Sequence, residues 1–197
     1  MARKMDTEVR QEQIAEAALR VVGERGVRAL NMGAIARRVG IVPSAIYRHF
    51  QGKEEVLDAV VNLIGTRLKK NVAAVCDETD DPVERLHMLL ERHVRLIREN
   101  EAIPRVVFSE SVYGGVPERK RRLYRVIKSY LDRVGDIVAE GQRQGRLSDG
   151  LEPDQAAVMF LGMIQPGAIL WHLSDGEFDV TRQAEKAWEV FRNVLET

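Results

Sequence analysis

The sequence predicts an all-α protein, with an N-terminal three-helix helix-turn-helix domain followed by a larger helical domain. Apolar residues recur at helical spacing through most of the 197 residues, and no segment shows the alternation typical of a half-buried strand. Near the N-terminus, two short helical segments flank a glycine-containing turn, which is the helix-turn-helix arrangement. A long helical pattern then begins at residue 54, so we expect domains at residues 1–53 and 54–197.

The first helix is expected from Glu8 to Gly26, after a polar and basic arm at residues 1–7. Its apolar residues fall on one stripe at helical spacing. That stripe consists of Ile14, Ala18, Leu19 and Val22. We expect this helix to pack behind the helix-turn-helix and to hold it rigid.

The helix-turn-helix begins at Asn31, whose side-chain oxygen can accept from the free amides of the next turn. Gly40 can end this helix, because glycine adopts the left-handed conformation at little cost. Pro43 suits the first turn of the next helix, where its missing amide costs nothing. We expect that second helix from Ser44 to Phe50, with its apolar residues on the buried face.

The opposite face of this second helix favours nucleic acid as a partner. It carries hydrogen-bonding side chains without a carboxylate, and no acidic residue occurs from Val27 to Lys53, although 30% of the chain is charged. Residues 1–53 hold ten Lys or Arg against five Asp or Glu, whereas the rest of the chain carries a matching acidic excess. A basic N-terminal unit suits a protein that meets a polyanion with one end.

The stretch resembles the N-terminal DNA-binding domain of the TetR family of bacterial transcriptional repressors. The resemblance covers residues 8–60, about the first third of the chain. It departs from the family at Val42, where Ser or Thr usually caps the second helix, and at Asn31, where Thr is common. The matching positions are Gly26, Ile35, Ala36, Val39, Gly40, Ile46, Tyr47, His49, Phe50 and Lys53.

The resemblance implies a homodimeric regulator of transcription, most simply a repressor, that binds a palindromic operator in double-stranded DNA. It also implies phosphate contacts from Tyr47, His49 and Lys53, and base-edge contacts from the start of the second helix, where Arg48 can pair with guanine. The candidate DNA-binding residues are Asn31, Val42, Ser44, Ala45, Tyr47, Arg48, His49 and Lys53. The alternative is a helical ligand-binding or scaffold protein whose helix-turn-helix is only structural.

Four helices are expected in the middle of the chain, the second of which opens on a capping box at Asp81-Pro82-Val83-Glu84 after an acidic loop. A glycine-rich break at residues 113–117 precedes the fourth helix. Basic residues crowd the first turns of that helix, at Arg119 to Arg122, and we interpret them as a solvated face rather than a second nucleic-acid patch. The expected spans are residues 54–75, 82–99, 103–112 and 117–144.

The last two helices, residues 153–173 and 179–195, predict a dimer interface. The first of them is apolar nearly all round, so it must be buried on all faces. Packing against a second copy is the simplest solution, and a two-fold dimer also matches a palindromic site. The candidate interface residues are Phe160, Ile164, Trp171, Trp188 and Phe191.

Large, adaptable and weakly polar side chains on the inward faces of the body predict a small apolar or amphipathic effector. For each residue singly, plain core packing is the competing interpretation. The resemblance adds weight, because members of the family commonly bind effectors in this domain. The candidates are Met88, His93, Phe108, Tyr130, Met159, Met163 and Trp171.

No pattern for catalysis, cofactor binding or metal binding stands out, so we expect no enzyme, no cofactor and no metal site. Glu84-x-x-His87 has the spacing of a di-iron ligand pair, but no second such pair occurs, and Glu84 fits the capping box better. The single cysteine, Cys76, allows no disulfide within the chain, which fits a reducing compartment. Without a signal sequence or an apolar run of about 18 residues, we expect a cytoplasmic protein with no membrane partner.

Overall fold

The structure is a computed structural model, and it describes residues 7–112 and 116–196. The described residues contain no strand, which confirms the all-α prediction. Most of the predicted arm and residues 113–115 of the predicted break lie outside the described residues. The helices are α1 Thr7–Arg25, α2 Met32–Val39, α3 Pro43–Ile46, α4 Lys53–Glu78, α5 Pro82–Glu99, α6 Ala102–Val107, α7 Pro117–Arg143, α8 Pro153–Leu173 and α9 Val180–Glu196.

The chain divides into two compact units. The first comprises Met1–Thr66 and Asn100–Val126, and the second comprises Arg67–Glu99 and Ile127–Thr197. The division therefore falls within α4 and within α7, rather than at the start of α4. The boundary at residues 53 and 54 stays a prediction about where the DNA-binding part ends.

In the first unit, α1 packs against α2 and α6, and α2 packs against α3. The predicted stripe of α1 is buried, with Ile14, Ala18 and Val22 at 0% exposure. Gly23 lets α1 and α6 approach closely, since a side chain there would meet the Cβ of Ala102 at 3.4 Å. The helix-turn-helix thus rests on a closed apolar layer, as the sequence predicts.

In the second unit, α5 packs against α8 and α9, and α8 packs against α9. The core lies among these three helices, and α5 buries the apolar face that its sequence predicts. Phe160 of α8 lies against Phe191 of α9, with ring centroids 6.3 Å apart. Gly141 permits a second close approach, because a side chain there would meet Leu147 at 2.6 Å.

Several helix ends differ from the sequence prediction. The helix predicted over Ser44 to Phe50 is regular only to Ile46, after which the amide of His49 bonds the carbonyl of Ile46 in the tighter i−3 manner. The helix predicted to end at Val75 runs to Glu78, which removes two acidic residues from the predicted loop. The helix predicted over Ile103 to Val112 ends at Val107.

The predicted capping box is only half formed. Oδ1 of Asp81 accepts from the amides of Val83 at 2.9 Å and Glu84 at 3.4 Å, as a capping residue should. The carboxylate of Glu84 does not return to the amide of Asp81, because it accepts from the Thr79 hydroxyl at 2.6 Å. The Thr79 hydroxyl oxygen in turn accepts from the Asp81 amide at 3.2 Å, so threonine replaces the glutamate of the box.

Candidate nucleic-acid interface

Helix α2 has the ends that its sequence predicts. Oδ1 of Asn31 accepts from the amide of Ala34 at 2.9 Å. Gly40 has φ of 79° in the left-handed region, and its amide bonds the carbonyl of Ala36 at 2.9 Å. The amide of Asn31 also donates through Nδ2 to the carbonyl of Ala29 at 3.1 Å. The side chain of Asn31 therefore caps α2, and one of its N–H groups remains for a DNA contact.

Helix α3 separates apolar from polar side chains. Ile46 and Phe50 are 0% and 6% exposed and anchor the segment to the core. Ser44, Tyr47 and Arg48 are exposed on the other side. Val42, which makes no side-chain capping bond, is 63% exposed just before the helix, and Ala45 is half-buried. The predicted contact residues thus lie close together in the chain, on and beside one exposed face.

His49 is half-buried at the end of this face. Its carbonyl accepts from Nε2 of Gln11 at 3.4 Å, which links the segment to α1. Its Nδ1 is buried and has no hydrogen-bond partner among the described residues. One ring nitrogen therefore points away from solvent, and Nε2 is the nitrogen that can meet a ligand.

The charges around α3 leave the face basic. Lys53 is exposed at the first position of α4, and the two glutamates that follow it are held by other groups. Glu55 accepts from the amide of Gln51 at 2.7 Å, and Glu54 pairs with Arg119 at 2.9 Å. Arg37 of α2 is also exposed. The sequence predicts only a positive charge at Arg37, although helical spacing places it off the apolar stripe of α2.

Arg119 corrects the interpretation of the basic run on α7 as a solvated face. It is 1% exposed, whereas Lys120 and Arg121 are exposed as expected. Its Nε donates to Asp58 at 2.7 Å, its Nη2 to the carbonyl of Glu54 at 2.8 Å, and its Nη1 to the carbonyl of Ser111 at 3.0 Å. Together with the Glu54 carboxylate, these contacts tie α7 to the first turns of α4, directly after Lys53.

Comparison with known protein families identifies the family of this chain. A family model described as "Bacterial regulatory proteins, tetR family" matches residues 14–60. A second, described as "YsiA-like protein, C-terminal region", matches residues 54–193, which is more than half of the chain. The chain belongs to the TetR family. This TetR-family protein is a DNA-binding transcriptional regulator rather than an enzyme.

Individual relatives agree with this assignment along most of the chain. The fatty acid metabolism regulator protein of Bacillus subtilis (strain 168) is 23% identical over 181 residues, 90% of this chain and 91% of the relative. A TetR/AcrR-family regulator from Thermobifida fusca YX-ER1 is 30% identical, with a TM-score of 0.69 over 94% of this chain and 97% of its own. The structure of the regulator FadR from Bacillus subtilis in complex with stearoyl-CoA shares the fold at 21% identity, with a TM-score of 0.77 over 93% of this chain and 98% of its own.

The predicted interface residues of the TetR-family regulator lie mostly inside a single chain. Phe160, Ile164, Trp188 and Phe191 are between 0% and 4% exposed, because they pack α8, α9 and α5 together. Trp171 is half-buried. The apolar side chains that one chain leaves exposed on α8 and α9 are Val158, Met159, Ile169, Leu170, Leu173, Val190 and Val194.

This exposure has a consequence for α8 as a whole. By length and composition the helix could cross a membrane: it has 21 residues, its most apolar 18-residue stretch has a mean hydropathy of 1.5, and only 33% of that stretch is buried. The expectation that no apolar run approaches the length of a span is therefore wrong for α8. One such helix is weak evidence for a membrane segment, since the core helix of a soluble protein can have the same length and composition.

The structure spreads the effector candidates over different environments. His93 and Tyr130 meet in the core of the second unit, where Nδ1 of His93 lies 2.9 Å from the Tyr130 hydroxyl. Burial lowers the pKa of His93 to about 4 and raises that of Tyr130, so both are neutral near pH 7. Met88, Met163 and Trp171 are half-buried, Met159 is 43% exposed, and Phe108 belongs to the first unit at 46% exposure.

A groove of about 550 Å³ opens between the later turns of α4 and α7 in the second unit. Val72, Ala73 and Ile137 give it an apolar floor, and charged side chains of both signs stand around it. None of the seven effector candidates lines this groove. The sequence did not reveal it, because its two walls are separated by more than 50 residues. Its lining residues are Lys69, Val72, Ala73, Cys76, Ser129, Arg133, Asp136, Ile137 and Glu140.

Proposed function

We propose that this TetR-family regulator is a repressor that binds a palindromic operator as a homodimer and leaves it when an amphipathic effector binds. The observation that carries the proposal is the exposed, acid-free face of α3, set on a rigid helical layer and followed at once by Lys53. The alternative of a purely structural helix-turn-helix is set aside, because the chain belongs to a family of regulators. We place the protein in the cytoplasm, where the DNA is.

On DNA, α3 enters the major groove with its first residues toward the base edges. Ser44, Ala45 and Arg48 approach bases, together with the exposed Val42, whose methyl groups suit contact with a thymine methyl. Tyr47 and Lys53 contact phosphates, and so does His49 through Nε2. Val42 offers no hydroxyl for a phosphate, so it makes no side-chain phosphate contact at the start of α3.

The experiment compares two variants of adjacent residues. The operator is selected from a random duplex library, and affinity is measured for it and for random DNA over a range of salt. Tyr47→Ala should weaken both equally, because a phosphate contact carries no sequence information. Arg48→Ala should lose about 1–3 kcal/mol of preference at one base pair.

Tyr124→Ala is the matched control, since Tyr124 is 66% exposed on α7 and has no proposed DNA contact. It should leave both affinities unchanged. An unaltered operator affinity in Tyr47→Ala would show that the assigned groove face is wrong. A binding constant that does not fall with salt would remove the DNA proposal altogether, because phosphate neutralisation releases counterions.

We propose that the exposed apolar residues of α8 and α9, together with Trp171, form the interface between the two copies. Phe160, Ile164, Trp188 and Phe191 support the interface from within by fixing these two helices against each other. Soluble monomers rarely expose so many large apolar side chains on two neighbouring helices. A two-fold partner covers them and sets the spacing of the paired α3 helices to one turn of DNA, about 34–36 Å.

For the effector we propose a long-chain acyl-CoA thioester. The FadR relative from Bacillus subtilis has been solved in complex with stearoyl-CoA, and a fatty acid metabolism regulator is similar over nine tenths of this chain. The groove between α4 and α7 adds a feature of this chain itself. Lys69 and Arg133 suit the phosphates of coenzyme A, and the apolar floor suits part of an acyl chain. The buried candidates, above all His93 and Tyr130, remain proposed contacts for a ligand that reaches the core.

A further inference from the structure

His87 lies on α5 close to two carboxylates. Its Nε2 is 2.9 Å from Oε2 of Glu185 on α9. One ligand atom each from His87, Glu91 and Glu185 lies within 4.8 Å of the other two. His87 and Glu91 are four residues apart, so both side chains leave the same face of α5. All three belong to the second unit.

The imidazole of His87 is held in place by the core. It stacks on the indole of Trp188, with ring centroids 5.0 Å apart and an angle of 9° between the planes. Trp188 is 4% exposed, so a buried side chain fixes the orientation of the ring. The side chains of His87 and Glu185 are themselves 37% and 42% exposed, which leaves their ligand atoms within reach of ions from solvent.

We propose that His87, Glu91 and Glu185 bind one divalent transition-metal ion, which ties α5 to α9. One imidazole nitrogen and two carboxylate oxygens form a donor set that zinc and its neighbours accept. Bonds of about 2.0–2.2 Å to a tetrahedral ion bring ligand atoms to about 3.4 Å from one another. Rotation of the exposed Glu91 closes the present gap, and water fills the fourth position.

An ion pair between His87 and Glu185 is the competing interpretation, and the two interpretations make different demands. The ion pair needs a protonated imidazole and gains nothing specific from Glu91. The metal needs a neutral imidazole and all three residues, and binding it releases protons. A metal ion also gives Glu91 a role. Glu84, which lies three residues before His87 in the sequence, accepts a hydrogen bond from the Thr79 hydroxyl instead.

The test uses the full chain after treatment with a chelator. Titration calorimetry with zinc chloride should show one ion bound per chain. Thermal melts should show a rise in Tm of about 5–10 °C at a hundredfold excess over Kd, reversed by EDTA. The absence of binding at about 100 µM zinc, which excludes all but millimolar affinities, would overturn the proposal.

Variants distinguish a specific metal site from nonspecific binding of zinc to surface histidines. His87→Gln and Glu185→Gln should each weaken zinc binding by more than about 100-fold, since losing even an outer-shell partner costs 10–100-fold. His172→Gln, on α8, and Glu189→Gln, one turn further along α9, are matched controls that should keep wild-type affinity. Equal affinity in His87→Gln, or an equal loss in His172→Gln, would contradict the assignment.

A second readout guards against variants that fail to fold. Cobalt in place of zinc should give visible ligand-field bands typical of a four-coordinate site, and these report the ligands directly. Glu91→Gln changes an exposed side chain, so the fold should persist while the bands shift and the affinity falls. Unchanged bands and affinity in Glu91→Gln would reduce the contact to an ion pair.

Discussion

Arg119 keeps a full charge at 1% exposure because four oxygens surround its guanidinium. Two of these are carboxylate oxygens and two are backbone carbonyls at the ends of other segments. Removing only the cation of a buried, hydrogen-bonded ion pair destabilises the fold, since the carboxylates and carbonyls around it then lose their hydrogen-bond donor and counter-charge. Arg119 thus fixes where α4 begins, and with it the position of Lys53.

Replacing this side chain should destabilise the first unit. We expect Arg119→Met to lower the free energy of unfolding by about 3 kcal/mol, at the low end for a broken buried pair, because Glu54 and Asp58 can still be hydrated. Urea unfolding followed by circular dichroism measures it. Arg121→Met is the control: its ion pair with Glu118 is exposed, so its loss should leave the free energy of unfolding nearly unchanged. Equal losses in the two variants would show that Arg119 is not the anchor.

His93 makes the stability of the second unit depend on pH. Its pKa of about 4 in the folded chain lies below the ordinary value of 6.5, because burial disfavours the charged ring. Between about pH 4 and pH 6.5 the His93 ring is protonated in the unfolded chain and neutral in the folded chain. The contribution of His93 is therefore complete above about pH 6.5 and is lost as the pH falls toward 4, by about 3 kcal/mol at most.

This loss can be isolated by comparing variants across the pH range. His93→Gln keeps a polar partner for Tyr130 and removes the titrating ring, so its stability should fall less than that of the wild type between pH 7 and pH 4.5. Chemical unfolding at several pH values gives the difference. His172→Gln should follow the wild type, because His172 is half-exposed. Parallel pH curves for wild type and His93→Gln would refute the argument.

Residues whose partners are near in sequence were predictable, and those whose partners are distant were not. Asn31 caps an amide three residues away and Gly40 closes a bond to Ala36, so propensity alone identified both. Arg119 meets residues 61 and 65 positions away, and His87 meets Glu185 across 98 positions. A single sequence carries no signal for such pairs, which is why a solvated face was predicted for the run that contains Arg119.

Helix α8 shows the same limit at the scale of an element. Its composition predicts an apolar helix, and the chain buries 33% of its most apolar 18-residue stretch. It could not reveal which residues face α5 and α9 in the same chain, because every face of the helix is apolar. The sequence predicts Phe160 and Trp188 at the interface, whereas in the structure they are 0% and 4% exposed within one chain, because large apolar side chains are most often buried in the core.

A charge on the exposed side of α8 should therefore split the dimer without unfolding the chain. Leu170 is 47% exposed, so Leu170→Glu should give folded monomers at micromolar concentration in analytical ultracentrifugation. Phe160→Arg should instead lose helical structure, because Phe160 is 0% exposed and an unpaired charge would be buried. Tyr124→Glu, exposed on α7, should stay a folded dimer.

The wild type supplies the decisive control for this element. If it sediments as a monomer at micromolar concentration, α8 has no partner copy. If that monomer then binds to lipid vesicles, and Leu170→Glu abolishes the binding, α8 contacts a membrane rather than a second chain. Either result would contradict the dimer proposal.

At the scale of the whole molecule, a net charge of zero conceals an uneven distribution along the chain. The basic excess lies in residues 1–53 and the acidic excess lies in the remainder, so a polyanion is attracted to the N-terminal part of the chain. The 26 residues of α4 run without a break from Lys53, a proposed DNA contact, to Glu78, two residues after the groove residue Cys76. A ligand that prefers one orientation of this helix can thus change the affinity for DNA.

Stearoyl-CoA should weaken operator binding by about 5–150-fold, the range of an allosteric coupling of about 1–3 kcal/mol. Fluorescence anisotropy with labelled operator measures this, with coenzyme A and stearate added separately as controls for the two halves of the ligand. Lys69→Gln should blunt the response, whereas Lys70→Gln should not, because Lys69 lines the groove and its neighbour does not. Operator binding that ignores all three compounds would leave a repressor without this effector.

The chain contains a single cysteine, Cys76, and it is half-exposed on the wall of the groove. A thiol-reactive fluorophore or nitroxide attached there labels one defined position, with no other thiol to remove first. In a two-fold dimer the two nitroxides form a symmetric pair, so pulsed electron paramagnetic resonance yields one distance between the copies. The same label stands where a ligand in the groove would quench or displace it, which makes one reagent a reporter of both assembly and occupancy.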